Sequence, residues 1–124
     1  MQDLLPDLLL FVGRVQDMTP EEVRQALEGT GLPVCAAASV EEARAVLRFL
    51  PVKLMVVGLD DEEDTWRLIR LGRGSGRDIP VACASGIPTR SRVLAALRRG
   101  ARTFLASRFS AADVQKKLSP LVAR

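Results

Sequence analysis

Leu8-Leu9-Leu10-Phe11-Val12 is an uninterrupted apolar run of strand length, and further strand-length stretches, apolar apart from Lys53, return at Lys53–Val57 and Ile79–Ala84. A strand with one face in water alternates apolar and polar residues. A run that is apolar throughout suits a strand covered on both faces, as in a parallel sheet sandwiched by helices. The segments between the runs carry helix signals. Thr19-Pro20-Glu21-Glu22 offers a cap, a first-turn proline and an acid to reach back, with Val23, Ala26 and Leu27 as the inner stripe and Gly29 or Gly31 as the stop. Ser39 with Glu42 is a second capping box, followed by Val40, Ala43, Val46, Leu47 and Leu50 at helical spacing, and Pro51 ends it. Asp60–Asp64 leads into a third helix bearing Trp66, Leu68 and Ile69, broken by Gly72 to Gly76. Thr89–Arg99 is a fourth, closed by Gly100, and Ser110 caps a fifth with Val114, Leu118 and Leu121 inward. Short strands at Leu32–Ala37 and Thr103–Ala106 complete the series.

Strand and helix thus alternate five times. Right-handed crossovers turn that order into a doubly wound parallel sheet, and strand order 2-1-3-4-5 is the flavodoxin-like solution. The 124 residues suit one domain with a real core. No apolar run approaches the ~18 residues of a membrane span. The apolar stretch Leu4–Val12 contains Pro6 and Asp7 and lacks a basic leader, so it reads as a strand and not as a signal peptide. Cys35 and Cys83 lie in separate apolar segments on non-neighbouring strands, which predicts two buried, unpaired thiols and a reducing cytoplasm. With no histidine, common metal sites and imidazole-based catalysis are excluded.

The net charge of +3 hides a division. Residues 1–87 hold nine Lys/Arg against fourteen Asp/Glu, whereas residues 88–124 hold nine Lys/Arg against Asp113 alone. Arg90, Arg92, Arg98, Arg99, Arg102, Arg108, Lys116 and Lys117 all fall in that last segment, and an acidic partner is expected there. A pair of solvated basic helices is the plainer reading of the same charges.

Three stretches carry a family resemblance: Gly31-Leu32-Pro33-Val34 with Ala37–Ala43, Ile79-Pro80-Val81 through Ser85-Gly86, and Gly100-Ala101-Arg102-Thr103-Phe104-Leu105. In this order and spacing the chain resembles the CheY-like receiver domain of response regulators over most of its length. The resemblance implies a five-fold (βα) sheet and locates the phosphorylation pocket at the carboxyl ends of the strands. Receivers hold Mg²⁺ with an acidic pair after the first strand, since this hard cation wants carboxylate oxygen. Here that stretch reads Val12-Gly13-Arg14-Val15 and supplies no acid. The phosphoacceptor aspartate falls on Gly58, which has no nucleophile. The lysine that pairs the phosphoryl group falls on Ser107, and the proline after it on Arg108. Ser85, at the hydroxyl switch position, and Phe104, at the aromatic one, are retained. Loss of nucleophile, metal ligands and lysine together implies a degenerate pseudo-receiver.

Other motifs admit two readings each. Asp60 and Asp61, within the acidic run to Asp64, are candidate substitute phosphoacceptors, or acids gathered at a helix N-terminus by its dipole. Gly72–Arg77 looks like a phosphate-cradling loop but precedes a strand, which favours a surface connection. Ser85 and Phe104 are either retained switch residues or a strand-end hydroxyl and a core ring. Trp66 is either packed or an interaction anchor.

The sequence therefore leads to one α/β receiver-like domain over residues 1–124, with room for an effector domain in a longer protein. The expected role is a phosphorylation-independent, non-enzymatic protein-interaction module in bacterial signalling, cytoplasmic, without cofactor or metal, whose acidic partner meets the basic last third. The alternatives are an atypical phosphoacceptor at Asp60 or Asp61, and nucleic-acid or nucleotide binding through the basic segment.

Overall fold

The computed structural model describes residues 6–58, 61–74, 78–85, 89–106 and 108–122. Five parallel strands, β1 (Leu8–Gly13), β2 (Val34–Ala37), β3 (Val52–Gly58), β4 (Val81–Ser85) and β5 (Thr103–Ala106), form one sheet in the order β2-β1-β3-β4-β5. This is the predicted order. The crossovers are α1 (Pro20–Leu27), α2 (Val40–Phe49), α3 (Glu62–Gly74) and α4 (Arg90–Arg98), and α5 (Ala111–Val122) closes the chain. No helix among the described residues is long and apolar enough to cross a membrane.

Strand alternation divides the core into two layers. Leu10, Val12, Met55, Val57, Val81 and Cys83 face α2, α3 and α4, while Leu9, Phe11, Leu54, Val56, Ala82 and Ala84 face α1 and α5. Burying one such Leu, Val or Ile contributes roughly 1.5–3 kcal/mol, so the apolar strands are the main stabilising feature. The central strands carry most of it: every residue of β3 except Lys53 is buried.

The helix caps follow the sequence closely. Thr19 Oγ1 accepts from the Glu22 amide at 3.1 Å and Glu22 returns a carboxylate to the Thr19 amide at 2.8 Å. Ser39 accepts from the Glu42 amide, but Glu42 reaches past it to the amide of Ala38 at 2.8 Å, so this second box closes one residue early. Gly100 takes a φ of 118°, the left-handed geometry that lets the chain leave α4.

Some expectations need correction. β2 begins at Val34, because Leu32 is still held in a turn in which its amide N–H donates a hydrogen bond to Thr30 Oγ1. Cys35 is only half-buried, since β2 is an edge strand with α1 and α2 covering it incompletely. Gly72 does not break α3. It lies inside the helix, where a β-carbon would stand 2.8 Å from Val81 Cγ2 and 2.9 Å from the Ile79 carbonyl. Its role is close helix–strand approach. The expectations placed on Asp60, on residues 75–77 and on Ser107 lie outside the described residues.

Candidate functional site

The carboxyl ends of β1 and β3 meet in register, with Val12 opposite Val57 and Gly13 opposite Gly58. Gly13 has a φ of 99°, which turns the chain sharply after β1. The turn brings the Arg14 amide to the Gly58 carbonyl at 2.9 Å. A β-carbon built on Gly58 would stand 2.7 Å from the Arg14 carbonyl oxygen and 3.3 Å from the Phe11 ring. At Gly58 the space for any side chain is filled by backbone and by an aromatic ring. Val12 corrects an expectation, because it is fully buried in the layer facing α2–α4 and does not line the strand-end pocket. Arg14 is exposed, and it lines a cavity of about 210 Å³ with Met18, Pro20, Val34 and Ala36, between α1 and the sheet edge.

Asp61 occupies the N-terminus of α3. Its carboxylate accepts from the Asp64 amide at 3.2 Å, and its carbonyl accepts from the Thr65 amide and hydroxyl. These contacts satisfy amide groups that the first turn leaves open.

Ser85 and Phe104 are brought together. Both line a cavity of about 40 Å³, with Thr65 and Trp66 from α3 and Arg92 from α4. That volume holds one or two waters and no larger ligand. Cys83 lies in the same wall, where burial pushes its thiol up to about 12. Phe104 is half-buried against the α2–α4 layer.

The basic residues of the last segment do not form one face. Arg102 precedes β5 and meets Asp78 at 3.8 Å, while Arg108 follows β5 and meets Glu22 of α1 at 3.8 Å. The four residues of β5, roughly 13 Å of strand, lie between them. Arg99 stacks over Trp66 at 4.6 Å from the ring centroid, and Lys117 Nζ donates to the Phe104 carbonyl at 3.2 Å. Arg92 is half-buried at the small cavity. Arg90, Arg98 and Lys116 point to solvent. Trp66 is half-buried and packed on the core layer, with Arg99 covering its ring. The denser basic surface lies elsewhere, in a groove between α2 and α3 bearing Arg44, Arg48, Arg67 and Arg70. Its signal was available as like charges spaced i,i+4 and i,i+3 within a part of the chain that is acidic on average.

A search with protein-family models found no match, and neither did a search of curated proteins. Solved structures do match. A response regulator from Thermotoga maritima superposes with a TM-score of 0.79 at 24% identity, covering 95% of this chain and 99% of that one. The fold is that of a response-regulator receiver domain. A two-component response regulator from Clostridium difficile gives a TM-score of 0.74 at 19% identity over 95% and 97% of the two chains. The receiver fold also extends to an atypical orphan response regulator, described as revealing a phosphorylation-independent regulatory mechanism, with a TM-score of 0.68 at 16% identity over 90% and 95% of the chains. At these identities the likeness establishes the receiver fold alone.

Proposed function

We propose that this chain is a pseudo-receiver: a receiver-fold module that works by protein–protein interaction, without phosphorylation and without enzymatic activity, in a bacterial signalling system. The observation that carries the reading is the closed corner at Gly58, where the Arg14 carbonyl and Phe11 ring occupy the space a phosphoacceptor side chain needs. An Asp61 carboxylate engaged in capping α3 supports it further, since a nucleophile must be free to approach phosphorus. A fold neighbour described as revealing a phosphorylation-independent regulatory mechanism lends the reading support. Leu94 and Leu97 on α4 are 39% and 41% exposed beside Arg98, which favours a partner that is both acidic and partly apolar. The dispersal of the other cations weighs against a nucleic-acid track, which wants a continuous basic stripe.

Titration with beryllofluoride and Mg²⁺, followed through Trp66 emission and backbone amide shifts, tests the reading. Unchanged spectra are expected. A saturable change centred on the ends of β1 and β3 contradicts it.

A further inference from the structure

The groove between α2 and α3 has a volume of about 610 Å³ and carries Arg44 and Arg48 on one wall and Arg67 and Arg70 on the other, with the edge of the buried Leu47 and the half-buried Leu71 at its floor. Arg44 and Arg48 are one helical turn apart, as are Arg67 and Arg70, so each pair projects from a single face. Like charges in this arrangement each cost a few tenths of a kcal/mol, typically ~0.2–0.5 per pair. Among the described residues only Arg67 has a carboxylate partner, Asp64 at 3.5 Å, and that contact is half in solvent. Arg44, Arg48 and Arg70 have none. Four guanidiniums thus line one groove with a partly apolar floor, and three of them have no carboxylate partner among the described residues.

We propose that this groove is a docking site for an acidic amphipathic segment of a partner protein, with glutamates or aspartates on the arginines and an apolar side chain on the floor at Leu71. Charge complementarity selects the anion, and the guanidinium fork suits carboxylates in pairs. The partly apolar floor selects a peptide over a polyphosphate. None of the lining side chains is aromatic, so a single-stranded nucleic acid finds no stacking platform. A partner engaging here leaves α4, β5 and α5 uncovered, so the site is independent of the α4 surface. The inference rests on the reading of the chain as an interaction module and locates a second surface for it.

The test uses the full chain and a fluorescein-labelled helical peptide with glutamates spaced i,i+4 around leucines, with binding followed by anisotropy at several salt concentrations. Saturable, salt-sensitive binding is expected, weakened by about tenfold or more in Arg48→Glu/Arg70→Glu and less in Arg48→Gln/Arg70→Gln. Both residues are exposed, and circular dichroism checks that the variants fold. Arg98→Glu/Arg99→Glu is expected to bind as the parent does. No binding by the parent, binding that survives the groove variants, or displacement of the peptide by duplex DNA at lower concentration overturns the groove. Loss in Arg98→Glu/Arg99→Glu alone also overturns it, yet leaves the interaction-module reading standing. A phosphoryl adduct under acetyl phosphate strikes that underlying reading instead.

Discussion

The Arg14 amide donates to the Gly58 carbonyl at 2.9 Å, and the Arg14 carbonyl stands 2.7 Å from where a Gly58 β-carbon would lie. The same peptide unit thus ties the end of β3 and blocks it. The loop after β1 closes onto the end of β3, and the glycine is required by the closure.

Gly58→Ala is therefore expected to destabilise the fold by about 1–3 kcal/mol, as overpacking of a buried site does. Gly58→Asp is expected to cost more, because it adds a buried carboxylate beside a carbonyl oxygen. Urea unfolding at neutral pH measures both. Restoring the aspartate alone is not expected to restore phosphorylation.

Gly72 and Gly74 make a paired test on one helix. Alanine has the higher helix propensity at both, by up to ~1 kcal/mol. At Gly72 the contacts with Val81 and Ile79 outweigh that gain, so Gly72→Ala is expected to lower the unfolding midpoint. At Gly74 a β-carbon meets nothing within 4 Å, so Gly74→Ala is expected to be neutral or slightly stabilising. Thermal melts are expected to show a lowered midpoint for Gly72→Ala and an unchanged or slightly raised one for Gly74→Ala.

The caps give a pH dependence with a fixed sign. The Thr19 amide holds the Glu22 carboxyl below its ordinary 4.5, and the Ser110 amide holds Asp113 below its ordinary 3.8. A folded-state value below the unfolded one contributes stability that is present above the unfolded value and is lost as pH falls through the folded one. Stability is expected to decline below about pH 4.5, and Glu22→Gln flattens part of that decline. Thr19→Ala is expected to cost about 1 kcal/mol at neutral pH. Urea midpoints between pH 3 and 7 check both.

The two thiols are expected to differ in reactivity. Cys83 is buried and its thiol is pushed up to about 12, so almost no thiolate forms in neutral buffer. Cys35 is half-buried on the edge strand β2. Iodoacetamide under native conditions is expected to give one adduct, on Cys35, with Cys83 labelled only after unfolding. Peptide mapping distinguishes the two.

Much of the fold was legible because its signals are local. Apolar runs such as Leu8–Val12 and caps such as Thr19 with Glu22 depend on neighbours within four residues. What was misread depends on distant partners. Gly72 looks like a helix breaker in sequence and is a packing position because β4 lies against it. Arg102 and Arg108 look like neighbours in one basic segment and are separated by the length of β5. The α2–α3 groove gathers arginines from two helices within a stretch whose average charge is negative, so counting by segment hides it. At the strand ends the residues Gly13, Arg14 and Gly58 could be read from the sequence, but the closure of Arg14 onto Gly58 could not.

The most direct test of phosphorylation independence is the intact mass of the protein after incubation with acetyl phosphate and Mg²⁺. An unchanged mass is expected. A stable increase by one phosphoryl group, mapped to Asp61 or to Asp60, would contradict it.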